Sequence, residues 1–559
     1  MTADPSSVRL GRLVAGLLVL NAAWRMCLAL GFPLYHDEAY FWELSRFPAP
    51  GYVDHPPMVA WVIGAFTSVL GDHSLLAIRG GALVGGTGTL LLVHRLARRL
   101  FDDQALASRA LLLALCLPLV NVLGVIVAPE GLMLFFHLLA LDQVATALRT
   151  GRGRPFYLAG VAIGLALLCG LAAGLAILAL ALWLLGRSPR RGWLRRKEPY
   201  LALLLAALVF LPFVSWNAAH DWVSLQLLLW TRPLQSFRFS LVKTGETLVE
   251  QLANTSVFLA APLLGALAVR PAAVPPAWRD GFQLLRCQAL VTLLFFLAVG
   301  TVSQTHPHWT VLAYPPAAIL LAVLWTAGRP RGLIRGLGWW VTLAQVTLVG
   351  LALFVLTGLT MLSRVPFERL GGAMGRGLAT AKVRLLGWTD LTRQIEPFLA
   401  GAATDGLPFL FAYGHQRASL LWFHRGGGAP VVNLQAYARR GTRVGDAQWY
   451  YLPVESLDGC GGILVTEAAW LTEDRLRAVF AQVEAAGVIE QQHDGWVVAR
   501  HRLFRVRGLS AAAIRQAGPA SPWGETAEPG TLGRSPPRSP TSDPGCRLAG
   551  EATALALRR

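Results

Sequence analysis

Residues 32–61, FPLYHDEAYFWELSRFPAPGYVDHPPMVAW, follow directly on the apolar run Leu13 to Leu30 and hold the most polar cluster of the first hundred positions. In it His36, Asp37, Glu38, Glu43, Asp54 and His55 stand among Tyr35, Tyr40, Phe41, Trp42, Tyr52 and Trp61. Rings of this kind anchor chains at a membrane–water interface, so the stretch reads as a loop leaving a first membrane span. Basic residues precede that span and Ala22-Ala23 follow its centre, as in a signal peptide. The apolar run continues past Asn21 and Arg25, however, which predicts an uncleaved span.

Working outward, runs of spanning length recur as far as Leu362. Of the 559 residues 54% are hydrophobic and only 15% charged, against about 25% charged in soluble domains. The chain is therefore predicted to be an α-helical polytopic membrane protein. About eleven helices are expected: Leu13 to Leu30, Leu75 to Leu96, Ala105 to Ile126, Gly131 to Leu148, Phe156 to Cys169, Ala172 to Leu185, Tyr200 to Trp216, Leu248 to Val269, Leu284 to Val302, Thr310 to Ala327 and Leu337 to Leu362. The apolar stretch Pro56 to Leu70 is too short to span, because fifteen helical residues reach only about 22 Å, and is expected to lie at the interface. The net charge of +18 could suggest nucleic acid, but the arginines cluster between apolar runs. With the N-terminus cytoplasmic, basic residues crowd alternate loops, as the positive-inside rule requires. That asymmetry also favours two spans, not one, between Phe156 and Leu185, and puts the C-terminal region outside the cytoplasm. Six cysteines without a CxxC pair imply neither a disulfide framework nor a zinc cluster.

Three domains are expected: a transmembrane domain, 1–362, with its first outer loop at 33–74; a small outer α/β domain, 363–507; and a tail, 508–559, rich in Pro, Gly, Ser and Arg and too poor in large apolar residues to fold. In the outer domain Pro408 to Gly414, Pro430 to Leu434, Gly462 to Thr466 and Gly495 to Arg500 read as strands, with helices at Gln416 to His424 and Thr472 to Ala485. His415, Gln416 and Arg417 at a helix start read as solvated polar residues.

The segment HDEAYFWELSRFPAPGYVDHPPMVAW resembles the first outer loop of the bacterial family 39 glycosyltransferases, relatives of the protein O-mannosyltransferases and the lipid A aminoarabinose transferases. The resemblance rests on the adjacent Asp37-Glu38 and the Tyr-x-Asp-His-Pro-Pro that follows. Weaker similarity runs from about Val8 to Arg507, through Trp216-Asn217, the Thr305-His306-Pro307-His308-Trp309 loop, Gly387-Trp388 and FAYGHQRASLLWF. It implies a GT-C fold in the plasma (inner) membrane, an active site on the outer, periplasmic side, and a sugar donor carried on polyprenyl phosphate. The implied partners are that donor, the bilayer, and an envelope acceptor: lipid A, another glycan or lipid, or a protein hydroxyl. The absence of a GxGxxG following a strand agrees with a donor that is not a nucleotide sugar.

Such a transfer needs a carboxylate base for the acceptor hydroxyl, because one displacement inverts the anomeric carbon. Asp37 is expected in that role. Glu38 would position Asp37 or the acceptor, and Glu130 would be a second acidic contact, unless it simply favours its helix N-terminus. Asp54, His55, Arg79, His306 and His308 are expected near the donor's phosphate or sugar. No cofactor is firmly implied. The His and carboxylate cluster could also hold a divalent ion, although nothing in the spacing demands a metal. One departure stands out: where the family often carries Ser-Lys-Tyr this chain has LLCGLAAGL, with Gly170 at the Lys position and Leu171 at the Tyr position. The competing readings are a transporter or flippase for lipid-linked sugars and a non-catalytic binder of such lipids. The first expects ionisable residues near the bilayer midplane.

Overall fold

A computed structural model describes residues 5–516 except 187, 228–238, 304, 329–335, 366, 368–378, 381, 408, 427–430, 435–453 and 469. The chain divides into two compact units. The first holds Met1–Phe32 and Ala49–Phe354, and the second Pro33–Pro48 and Val355–Arg559. The loop segment carrying Asp37 and Glu38 thus belongs with the C-terminal unit. That differs from the expected division at residue 362, which kept the whole loop 33–74 with the transmembrane domain.

In the first unit, among the described residues, six helical segments are long and apolar enough to cross a membrane: Val8–Gly31, Leu75–Phe101, Pro129–Thr150, Glu198–Ala219, Pro276–Val302 and Pro307–Ala327. The elements that matter for the site are α1 (Pro5–Gly31), α3 (Met58–Leu70), α4 (Leu75–Phe101), α5 (Gln104–Leu115), α6 (Pro118–Val122), α7 (Pro129–Thr150), α8 (Pro155–Leu167) and α9 (Gly174–Leu185). They are followed by α10 (Glu198–Ala219), α11 (Leu241–Thr255), α12 (Ala260–Ala268), α13 (Arg279–Val302), α14 (Tyr314–Ala327) and α15 (Leu337–Arg364).

Three apolar runs are divided, two of them within a single expected span, each for a local reason. The run Ala105 to Ile126 breaks after α5, where Leu117 is extended ahead of Pro118; a proline ring disfavours helical geometry in the residue before it. The run Phe156 to Leu185 breaks at 168–173. Phe156, near the start of α8, and Trp183 and Leu184, at the end of α9, share one buried cluster, whereas the Leu168 carbonyl accepts from Met58 N at 3.1 Å. The two helices are therefore antiparallel and turn near residue 170, as the charge asymmetry predicts. The third, Leu248 to Val269, is divided: α11 ends where Ser256 takes a positive φ of 69°. The reason is composition, since α11 buries Thr247, Asn254 and Thr255 while exposing Val242, Leu248 and Val249, an amphipathic pattern unsuited to crossing lipid.

Helix α8 packs against α10 through glycines. A Cβ at Gly160 would lie 2.2 Å from the Ala202 carbonyl oxygen, and one at Gly164 would lie 2.6 Å from Val209 Cβ. This small-xxx-small spacing lets two backbones approach closely where lipid supplies no hydrophobic drive. Arg25 of α1 is enclosed in the same way, with Gly86 and Gly124 each within 2.7 Å of its guanidinium if given a Cβ. Its Nη2 donates to the Val120 carbonyl at 3.1 Å.

The second unit contains α2 (His36–Ser45), α16 (Trp388–Thr404), α17 (His415–His424) and a five-stranded sheet of order β2-β1-β3-β5-β4. Strand β1 (Phe409–Ala412) pairs parallel with β2 (Val432–Asn433) and β3 (Gly462–Thr466). The long hairpin β4 (Phe480–His493) and β5 (Trp496–Leu509) closes the other side antiparallel. The helix expected from Thr472 to Ala485 is reduced to Glu473–Arg477, because the hairpin captures the rest. Its turn is Asp494-Gly495, both with positive φ, the dipeptide that matches strand twist in a two-residue turn. Phe480, Val483, Phe504 and Val506 are buried in the core of this unit, which outweighs the helical propensity of the alanines at 481, 485 and 486. Strand β5 runs to Leu509, past the expected start of the tail at 508, and residues 517–559 lie outside the described residues.

His501 of β5 is 2% exposed, with Nε2 2.8 Å from Gln491 Oε1. Burial pushes its pKa down to about 4. The folded unit thus holds a neutral ring that the unfolded chain would protonate near pH 6.5, so folding stability is complete above that value and falls as pH drops towards 4. We expect His501→Gln to flatten this acid loss in a denaturation series, and an unchanged pH slope would remove His501 as its source.

Candidate active site

Asp37 stands in the first turn of α2. The helix start is fixed by Glu38, which is fully buried and whose Oε2 accepts from Tyr35 N at 3.0 Å. Satisfying this otherwise orphaned amide holds the turn that presents Asp37. The remainder of α2 is anchored within the second unit: Trp42 meets Trp422 at 5.1 Å and Phe423 at 5.2 Å between ring centroids, and Ser419 Oγ donates to Glu43.

The Asp37 side chain keeps 46% of its surface exposed, while that of its neighbour His36 keeps 4%. His36 Nδ1 lies 2.8 Å from Asp37 Oδ1, and Gln416 Nε2 donates to the same oxygen at 2.9 Å. On the far side of the imidazole, Arg384 Nη1 is 3.4 Å from His36 Nε2. A guanidinium can only donate, which assigns the lone pair to Nε2 and the proton to Nδ1, facing Asp37. Burial alone would raise the pKa of Asp37. The hydrogen bonds from His36 and Gln416, with the electrostatic influence of the His36 and His415 rings, prevail and hold it below the usual carboxylate value.

Gln416 therefore is not a solvated helix-start residue. His415 packs its ring 4.9 Å from that of Tyr40, and Arg417 pairs with Glu467. Sequence reasoning missed this arrangement because the two partners are 379 positions apart. The only signal was the presence of both segments in one family resemblance.

The other predicted residues belong to the first unit. In the motif Tyr52 to Pro57, Tyr52 N donates to the His55 carbonyl at 3.2 Å, and Ser224 Oγ donates to the Tyr52 carbonyl at 2.7 Å. Asn217 holds that tether, its Oδ1 accepting from Ser224 N at 3.2 Å, which accounts for the asparagine of the Trp216-Asn217 pair. Burial pushes the Tyr52 phenol up to about 12, against a smaller lowering by the hydrogen bond with Ala49. Asp54 Oδ2 and His55 Nε2 lie 3.8 Å apart. Arg79 is buried, and its Nη1 donates at 2.8 Å to the carbonyls of both Ala29 and Phe32, which ends α1.

Glu130 and His308 come together. Their Oε1 and Nε2 lie 3.6 Å apart, with side chains 13% and 40% exposed. Pro129 starts α7, so Glu130 lies in its first turn, where the helix dipole favours a negative charge. His306 lies with its ring centroid 5.5 Å from that of His308. The turn Pro307–Ala313 that carries them is held by α11: Asn254 Nδ2 donates to the Pro307 carbonyl at 2.6 Å, and Thr310 Oγ1 donates to Gln251 Oε1 at 2.7 Å. Gly170 lies close by in the same unit, since a Cβ there would meet Met133 Sδ, one turn along from Glu130, at 3.3 Å. Among the described residues no group of three or more His, Cys, Asp or Glu is arranged to hold a metal ion.

Residues 54–216 match the model of the dolichyl-phosphate-mannose-protein mannosyltransferase family. A lipid A galacturonosyltransferase, RgtD, of Rhizobium johnstonii is 26% identical over 337 residues, covering 57% of this chain and 67% of that one. An undecaprenyl phosphate-alpha-4-amino-4-deoxy-L-arabinose arabinosyl transferase of Edwardsiella ictaluri is 27% identical over 301 residues, 50% of this chain and 51% of its own. The chain thus spans about half to two thirds of the curated relatives it matches. The crystal structure of ArnT from Cupriavidus metallidurans bound to undecaprenyl phosphate shares the fold, with a TM-score of 0.59 at 16% identity over 88% of this chain and 97% of that one.

Proposed function

We propose that this chain, which is similar over residues 54–216 to the dolichyl-phosphate-mannose-protein mannosyltransferase family and shares a fold with ArnT, is a GT-C glycosyltransferase that transfers a sugar from a polyprenyl-phosphate donor to an envelope acceptor, by a single inverting displacement on the outer face of the membrane. The relatives' names support the donor class, and lipid A is the acceptor class they favour. The observation that carries the mechanism is Asp37: half-exposed, hydrogen-bonded as its ionised form, and held on a fixed helix turn.

In this reading the acceptor hydroxyl attacks the anomeric carbon, its proton passes to Asp37, and the bond from that carbon to the phosphate oxygen breaks. Glu38 acts by holding the helix start. His306 and His308, with His55, meet the charge that develops on the leaving phosphate, and Glu130 orients His308. Asp54 would contact the sugar. Arg79 is left out of this set, because its guanidinium ends α1. No step needs a metal in this scheme, although a divalent ion at the phosphate is compatible with it. The topology taken with this reading has a cytoplasmic N-terminus and about eleven crossings, of which the six long apolar segments among the described residues are the firmest.

The test is transfer from a panel of synthetic polyprenyl-phosphate sugars to envelope lipid extract by membranes containing the protein. Product from one donor supports the reading, whereas binding without transfer from any donor returns the lipid-binding alternative. Because the Asp37 pKa is held low, the base stays ionised through the mildly acidic range. The acidic limb of kcat/KM due to Asp37 is accordingly expected below the usual carboxylate range; a limb near neutral pH would assign the base elsewhere.

Gly170 gives a further expectation. Its φ of −173° is extended, which any residue adopts, and a Cβ meets only the flexible Met133 thioether. Gly170→Lys should therefore fold normally and return a cation to the position where the family often has one. The expected result is a donor KM lower by about threefold to tenfold with acceptor KM unchanged. A raised donor KM would mean that the phosphate lies elsewhere.

A further inference from the structure

Three hydrogen-bonding observations bear on how Asp37 is aimed. Both described donors to this carboxylate, His36 Nδ1 and Gln416 Nε2, converge on Oδ1, and within the second unit Oδ2 accepts no hydrogen bond from the described residues. Gln416 is not on the helix that carries Asp37. It lies at the start of α17, whose far end packs Trp422 and Phe423 on Trp42, so its amide is placed by the body of the second unit. A glutamine amide contributes a donor without a titratable proton; it can orient a carboxylate without competing for the proton that the carboxylate must take.

We propose that Gln416 is a positioning residue for the base: it pins Oδ1 of Asp37 so that Oδ2 alone faces the acceptor hydroxyl. This deepens the transferase reading and rests on it. As the acceptor oxygen bonds to the anomeric carbon, its proton goes to Oδ2, the bond to the phosphate oxygen breaks, and that electron pair leaves on the polyprenyl phosphate. The groups facing Asp37 are Tyr35 and His36 from its own segment and His415 and Gln416 from α17, with Arg384 behind His36 and Glu38 behind Tyr35. Of these, Gln416 is the neutral donor that arrives from a separate element.

The experiment measures kcat, KM and the pH dependence of kcat/KM for full-length protein in membranes. The variants are Gln416→Met, which keeps length but not the donor; Gln416→Glu, which differs by a single group and keeps the size; Ser419→Ala; and Asp37→Asn. Removing a hydrogen bond to an ionised carboxylate moves its titration upward, by about one pH unit here. Gln416→Met should therefore lower kcat about tenfold, leave donor KM unchanged and shift the acidic limb up. Gln416→Glu, which sets two carboxylates side by side, should shift the limb further. Ser419→Ala, which loosens α2 from α17 at Glu43 only, should leave the limb in place. An unmoved limb in either Gln416 variant, with Asp37→Asn inactive, overturns the positioning role and leaves the transferase reading intact. Full activity in Asp37→Asn overturns the choice of base itself. A limb shifted equally by Ser419→Ala would make the effect one of packing, and would also overturn it.

Discussion

Asp37→Asn is expected to lower kcat for sugar transfer by about a thousandfold, the usual span for loss of a positioned general base, while the protein inserts and accumulates as the wild type does. The fold should tolerate the change. Asp37 is half-exposed, and an asparagine carbonyl can still accept the hydrogen bonds from His36 and Gln416. What disappears is the capacity to take a proton near neutral pH. Donor KM should change little, because the phosphate contacts are assigned to His55, His306 and His308. Transfer at wild-type rate would remove Asp37 from the chemistry and direct attention to Glu130, the other partly exposed acid in the reading.

Gly160→Leu is expected to have the largest effect on stability. Its side chain would have to occupy the space of the Ala202 backbone, already 2.2 Å from the ideal Cβ position. The neighbour cannot give way as a flexible side chain would, since α8 and α10 meet again at Gly164, against Val209 and the Ala206 carbonyl. Overpacking of this kind costs about 3 kcal/mol, or a separation of the two helices. The measurement is the apparent melting temperature in detergent, with Gly16→Leu as control, because a Cβ at Gly16 meets nothing within 4 Å. Equal melting for the two variants would mean that α8 and α10 do not pack so closely.

The run of apolar segments and the pair of antiparallel helices after Phe156 were legible, because length, charge and period act locally. The interruptions were less so. Leu117-Pro118 offered a signal that hydropathy overrode, and α11 showed its amphipathic face only once Thr247, Gln251 and Asn254 had a partner in the turn at 307–313. The buried ionisable groups of α7 escaped notice for a similar reason: Asp142 sits in a hydrophobic run, and only its pairing with Arg95 at 2.9 Å and Arg99 at 2.7 Å explains its presence. In the second unit, alanine-rich residues 481–486 suggested helix until the Asp494-Gly495 turn folded them into a hairpin. At the site, Asp37 and Glu38 were conspicuous as acids among rings. Gln416 was not, because an uncharged amide near a helix start carries no distinguishing pattern, and only tertiary structure brings it to a carboxylate 379 positions away.

That separation has a consequence for how the protein is made. A nascent chain that has threaded its first helix already displays HDEAYFWELS, yet the surface this segment rests on is encoded more than three hundred codons later. Until α17 and the strand before it are synthesised, α2 lacks the contacts with Trp422, Phe423 and Ser419 that fix it, and a ten-residue helix is marginal by itself. The placement of Asp37, the base of the proposed transfer, therefore depends on residues made more than three hundred positions after it. A copy truncated before α17 would carry every titratable group named for the first unit and still lack the Gln416 contact on Asp37, so in the proposed scheme transfer would report on completed synthesis.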